Sequence, residues 1–247
     1  GAQGTLQMGG DDEASQLADA ARLPWEERFK HSFWKARVAA YECVGKEAAT
    51  AEDVQSSNCL RAFGDCAKSA AGDTNANALD SGLDALIAFL GVADEDYATS
   101  RAAGIMSHVV SKGMNARAKT VERATEVAML LCELAAADVV VEALLKGTAH
   151  KVPKLALAST DALRLAVAEF GTPKVVPPKP ILKGMSHLFD SKDAKIRGAA
   201  KDLTVELTRW LGPDAVKRDL LDKMRDTMQA EVREMMGQPG NAPGAAR

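Results

Sequence analysis

Four histidines and four cysteines are the residues of this chain best able to do covalent or metal chemistry. His31, His108, His150 and His187 stand far apart, and none has a second ligand at i+3 or i+4, the spacing that puts two donors on one helix face. Cys43, Cys59, Cys66 and Cys132 form no C-x-x-C pair and sit among apolar or small neighbours. They are expected to be buried or half-buried free thiols of a reducing compartment. Asp94 and Asp96 beside Glu95 read as a solvated helix cap rather than an acid–base pair. The nucleophile elbow, the Walker loop, the dinucleotide glycine fingerprint and the H-E-x-x-H zinc pattern are absent from the sequence. The expectation is therefore no catalytic residue, no metal ligand, no cofactor and no enzyme.

The remaining chemistry is recognition. Basic and aromatic side chains gather in short polar stretches: Trp34, Lys35 and Arg37; Asn75 and Asn77; Arg117 and Lys119; Lys151 and Lys154; Lys192, Lys195, Arg197 and Lys201. Each stretch opens an expected helix. Helix N-termini disfavour cations, so repeated lysine and arginine there need another cause, and contact with an acidic partner surface supplies one. A net charge of −3 argues against a nucleic-acid binder, which is normally basic. Trp34 lies between polar and basic neighbours, away from any apolar stripe, and exposed tryptophan is a common hot-spot residue. Trp25 and Trp210 stand at helical spacing and read as core.

Helices must position these stretches. The chain has 247 residues, of which 47% are hydrophobic and only 4% aromatic, ample for a core rich in alanine, the best helix former. The β-branched runs at 139–141 and 174–176 are too short and isolated for strands, so the fold class is all-α. Helix–turn–helix units recur about every 40 residues, the mark of a HEAT-type solenoid. Repeats are expected at about 22–49, 54–91, 94–137, 138–171 and 178–211, with a final amphipathic capping helix within 213–236. Leu83, Leu86, Ile87 and Leu90 form one apolar stripe; Val127, Leu130, Leu131 and Leu134 form another. Asp73, Thr74 and Asn75 suit an N-cap, Pro153 the first turn of a helix, and Gly171 a left-handed C-cap. The Pro-rich stretch 172–180 reads as a stiff connector within one solenoid. One helix is expected to carry Ile181, Leu182, Met185, Leu188 and Phe189. Because repeats stack in register, their turns should line one edge.

Residues 1–21 are expected to be a flexible segment, with 1–7 a cloning scar ahead of a native start at Met8 and without the basic and apolar regions of a signal peptide. Residues 237–247 read as the start of a linker. No run approaches the ~18 apolar residues that span a bilayer. The reading is a cytosolic, monomeric domain that binds neither membrane nor nucleic acid.

Leu23-Pro24-Trp25-Glu26-Glu27-Arg28, followed by Trp34-Lys35-Ala36-Arg37 and Ala40-Tyr41-Glu42, resembles the opening of a TOG domain, a tubulin-binding HEAT array of microtubule polymerases. The likeness continues through Leu83-Asp84-Ala85-Leu86-Ile87-Ala88-Phe89-Leu90, Glu169-Phe170-Gly171, Pro177-Pro178-Lys179-Pro180-Ile181-Leu182, Arg209-Trp210 and Lys223-Met224-Arg225-Asp226-Thr227-Met228. It covers about 22–235, and the last three motifs look most like the plant and algal branch and the first TOG domain of such proteins. The resemblance implies a flat paddle of six HEAT repeats rather than five, residues 215–235 belonging to a partial sixth. It implies that the intra-repeat turns bind the αβ-tubulin heterodimer, in the cytoplasm on microtubules, their plus ends and the spindle. It places Trp34 against β-tubulin, with Lys35 beside it among the tubulin-binding residues, Asn75 in the second turn and Lys119 in the third. Lys151 and Arg197, with Lys154, Lys195 and Lys201 nearby, would face α-tubulin. The third turn, Met114-Asn115-Ala116, departs most from the family pattern. The competing reading is a HEAT scaffold for another acidic protein, which the turn tryptophan combined with basic fourth and fifth turns disfavours.

Overall fold

The computed structural model describes residues 4–244, and among them there is no strand. The chain divides into two units, Gly1–Asp94 and Glu95–Arg247. The first holds α1 (Gly4–Ala20), α2 (Trp25–Arg28), α3 (Trp34–Ala48), α4 (Asn58–Ala70) and α5 (Ala76–Leu90). α3 packs chiefly on α5, and α4 lies against both. Their core is aromatic: Phe29 stacks on Tyr41 with centroids 6.0 Å apart and meets Phe63 edge-on at 5.4 Å, and Phe63 continues to Phe89 at 5.4 Å. All four rings are buried. Such pairs add about 0.5–1.5 kcal/mol each beyond the area they bury, so the few aromatics in the sequence are used where they count. Trp25 is half-buried, stacked on Phe29 with the Arg28 guanidinium 4.2 Å above its own ring.

The segment 1–21, flexible by composition, contains α1. This helix rests on α3, with Leu17, Ala20 and Ala21 lining a crevice against Ala36, Ala39, Ala40 and Cys43. Three small apolar contacts among glycines and acids are a weak sequence signal. Residues 1–3 lie outside the described part.

The second unit holds α6 (Glu95–His108), α7 (Ala118–Leu131), α8 (Ala137–Thr148), α9 (Pro153–Phe170), α10 (Pro178–Gly184), α11 (Ala194–Leu211), α12 (Pro213–Lys217) and α13 (Asp226–Met236). α9 is central, packed on α8 and α11. The core here is aliphatic and alanine-rich, with Leu131, Val140, Leu144, Leu155, Leu163, Val167, Leu203 and Leu207 buried. α6 runs into α7, and α7 into α8, through π-helical turns. The second of these carries Ala135 in the left-handed region, φ 62°, ψ 17°.

Three local expectations change. The helix expected over Ile181 to Phe189 stops at Gly184, and Ser186–Asp190 is a 3-10 turn. Gly184 lies against Leu145, and the His187 ring reaches Gly184 O (2.9 Å) and Thr148 O (3.3 Å), so the chain turns to meet the end of α8. The capping helix expected over 215–235 is two helices, α12 and α13, around a corner that buries Leu220, Leu221 and Met224 and is closed by Gln229 Nε2 donating to Leu221 O at 2.7 Å. Gly171 does end α9 at positive φ (72°), but with ψ 169° it is extended rather than αL. That region is essentially glycine-only, and the Trp210 ring sits where a Cβ would project. Residues 172–177 hold a tight connector, with Thr172 Oγ1 donating to Val176 O at 2.7 Å and Val176 buried. In the segment expected to begin a linker, Pro239–Asn241 forms a 3-10 turn, Asn241 Nδ2 donates to Met235 O at 2.9 Å, and Gly244 N donates to Arg209 O at 3.0 Å, at the end of α11.

Candidate protein-binding turns

Four turns, the first, second, fourth and fifth, join the two helices of a pair by one local plan. Three residues before the second helix, a side chain accepts a hydrogen bond from the backbone N–H two residues on. His31 Nδ1 accepts from Phe33, Asp73 Oδ1 from Asn75, His150 Nδ1 from Val152 and Ser191 Oγ from Asp193, at 2.9–3.2 Å. Such contacts satisfy donors that the helix start leaves open and fix where the flanking side chains emerge. Lys151 and Lys192 then fall two residues before their helices, Trp34 is the first helical residue, and Lys35, Lys119, Lys154 and Lys195 are each the second. This common register unites Lys35, Lys119, Lys154 and Lys195; Asn75, Arg197 and Lys201, also read from the sequence, stand outside it.

In the first unit, Trp34 is half-buried at the head of α3, with Lys35 Nζ 5.7 Å from its ring centroid. Lys35 is also paired with Glu13 of α1 at 2.5 Å. Behind them Arg37 braces two turns together. Its Nη1 donates to His31 O (2.7 Å) and Ser32 O (3.2 Å), and its Nε and Nη2 grip both oxygens of Asp73 at 2.7 Å. Tyr41 Oη donates to the same carboxylate at 3.3 Å. Burial works to raise the Asp73 pKa, but Arg37 and the Asn75 N–H outweigh it and hold the carboxyl below the usual range. The Arg37 pKa is raised, chiefly by its hydrogen bond to Asp73, and burial pushes the Tyr41 phenol up. Asn75, read as a contact residue, uses its Oδ1 to cap α5, accepting from Asn77 N and Ala78 N at 3.0 and 3.1 Å.

In the second unit, Lys119, Lys151, Lys154, Lys192 and Lys195 are exposed. Lys154 lines a hollow between α7 and α9. Arg197 stands in its helix where Arg37 does in α3 and repeats part of its role, with Nη1 donating to Ser191 O (2.8 Å) and Lys192 O (3.1 Å). Arg197 thus holds the fifth turn. Lys201 is held by Glu231 at 2.7 Å. Arg197 and Lys201 line one groove with Lys192 and Arg225. Arg225 was not singled out from the sequence. It is the residue just before α13, as Arg117 is before α7, and that register was its signal.

The thiols are free, with Cys59, Cys66 and Cys132 buried and Cys43 half-buried. Burial pushes Cys59 and Cys132 up to about 12, far from a reactive thiolate. Among the described residues no three His, Cys, Asp or Glu side chains cluster as metal ligands, and no helix is long and apolar enough to cross a membrane.

The family model for the TOG domain of XMAP215/Dis1/CLASP matches residues 19–236. Over 225 residues the chain is 40% identical to Protein MOR1 of Oryza sativa subsp. japonica and 39% identical to Protein MOR1 of Arabidopsis thaliana, in each case over 91% of this chain and 11% of the relative. The chain thus spans about a tenth of the length of these relatives. A solved structure from work on tubulin recruitment and assembly by microtubule polymerases with TOG domain arrays superposes with a TM-score of 0.77 at 23% identity, over 85% of this chain and 45% of that one. At that identity the likeness speaks for the fold.

Proposed function

This chain belongs to the XMAP215/Dis1/CLASP TOG-domain family, and from that premise we propose that it binds the αβ-tubulin heterodimer through its intra-repeat turns, as one module of a microtubule polymerase acting on microtubules, plus ends and spindle. The observation that carries the reading is the shared register. An aromatic residue at the first helical position of α3 and lysines at the second position of α3, α9 and α11 are presented by turns whose backbones are pinned from behind. Pinned turns pay little ordering entropy on binding, and lysines facing an acidic partner speed encounter. Trp34 and Lys35 meet β-tubulin; Lys151, Lys154 and Lys195 meet α-tubulin. Lys119 in the third turn has the same register and extends the contact. Asn75 and Arg197 serve first to shape their turns.

The test is a sizing column with unpolymerised tubulin. The chain should co-elute with tubulin, and Trp34→Ala should lose about 2–4 kcal/mol of binding while helical content and melting point stay nearly unchanged. A Trp34→Ala protein that unfolds would make this tryptophan structural. A wild-type chain that ignores tubulin would overturn the reading.

A further inference from the structure

The groove at the start of α11 and α13 has about 580 Å³ of space over Phe189, Ala194 and Met228. Four basic side chains line it, Lys192, Arg197, Lys201 and Arg225, against two acidic ones, Asp190 and Glu231. The acids are engaged: Glu231 Oε2 accepts from Lys201 Nζ at 2.7 Å, and Asp190 Oδ1 from Arg225 Nη2 at 3.3 Å. Arg197, by contrast, is anchored to turn carbonyls. Both side chains of the Arg225–Asp190 pair are mostly exposed, 77% and 68%, and exposed pairs of this kind are weak. The groove therefore rests with part of its positive charge covered by two carboxylates, of which Asp190 is the more easily displaced because Lys201 beside Glu231 is only 25% exposed, and four cations against two acids leave a surplus of two.

We propose that this groove receives a carboxylate side chain of the bound partner, that Arg225 is a contact residue, and that Asp190 and Glu231 are internal stand-ins which the partner's acid displaces. Resting on the tubulin reading, this extends the contact surface from the fifth turn to the sixth. The charge surplus selects an acidic occupant, and the apolar floor of Phe189 and Met228 favours one flanked by an apolar side chain. Because the stand-ins compete with the partner, removing them strengthens binding, the opposite of what loss of an ordinary contact does.

The experiment is a titration of unpolymerised tubulin, followed by fluorescence anisotropy, with wild type, Trp34→Ala, Arg225→Ala, Asp190→Asn, Glu231→Gln and the double variant Arg225→Ala/Asp190→Asn. Arg225→Ala should weaken binding about three- to tenfold. Asp190→Asn should tighten it about two- to fivefold, the range set by the weakness of the exposed pair it removes, and Glu231→Gln should tighten it by freeing the Lys201 ammonium. The double variant should match Arg225→Ala, because the gain from Asp190→Asn passes through Arg225; a general change in net charge would survive in the double variant. Glu231→Gln acts through Lys201 and gives a reading independent of Arg225. If wild type binds and Trp34→Ala does not, but the stand-in variants bind equally or less well, or the gain persists without Arg225, the inference falls and the tubulin reading stands. If wild type does not bind, both fall.

Discussion

Arg37 commits Nε, Nη1 and Nη2 to the first two turns of its unit, and the consequence can be read from acid sensitivity. Asp73, its partner, is nearly inaccessible, the side chains being 13% and 3% exposed. Removing one member of a buried pair strands the other and costs about 3 kcal/mol or more. The folded-state pKa of Asp73 lies below its unfolded value of about 3.9. Its contribution is therefore fully present above that unfolded value and is lost as pH falls through the folded one. Melting temperatures measured between about pH 6 and pH 2.5 should fall more steeply for wild type than for Asp73→Asn, which starts lower. Parallel curves would mean that the carboxylate contributes nothing as an anion. Arg197 makes the same turn contacts without such a carboxylate clamp, so the two arginines, alike in register, differ in what they hold.

At the scale of helices, sequence periodicity reaches as far as local physics does. Alanine-rich stripes place α3, α5, α7, α9 and α11 and their turns, because propensity, capping and amphipathic spacing act within a few residues. The breaks at Gly184 and around Leu220 were not legible. They follow from neighbours such as Leu145 and Thr148, distant in the chain. The same holds within the candidate site. Exposed Lys119, Lys151, Lys154 and Lys195 could be read from composition and register. The tie from Arg37 to Asp73, 36 residues away, and those from Arg225 to Asp190 and Lys201 to Glu231, 35 and 30 away, leave no local pattern. Ala135 is the clearest case of local preference overridden. An L-residue at φ 62° costs about 1 kcal/mol relative to glycine. Ala135→Gly should therefore raise stability by about 0.5–1 kcal/mol, measured as a shift in the denaturant midpoint and as slower hydrogen exchange at the start of α8. A lower midpoint would show that the alanine methyl group has a packing role outweighing its strain.

For the molecule as a whole, two units with differently built cores, one of stacked rings and one of aliphatic residues and alanine, each carry two turns of one design. As a separate chain, with tubulin as its proposed partner, it should hold dimers without delivering them. Microtubule growth at fixed tubulin should slow as the chain is added, and acceleration seen by microscopy would place delivery within this domain itself. Tethering to a lattice site would supply the effective concentration, commonly millimolar for short linkers, that delivery needs. The clasp of residues 237–244 on α11 bears on this in mechanical terms. Tension applied beyond Gly244 does not load α13 directly; it first meets the Gly244–Arg209 backbone bond and the Asn241 turn. From there it enters the C-terminal end of an 18-residue helix, about 27 Å long, whose other end carries Arg197 and the basic groove. While the clasp holds, a pull on the tail is borne by the helix that supports the fifth turn; once it peels, the load passes to α13 through eight residues, at most about 26 Å of extended chain, and that turn is relieved of load.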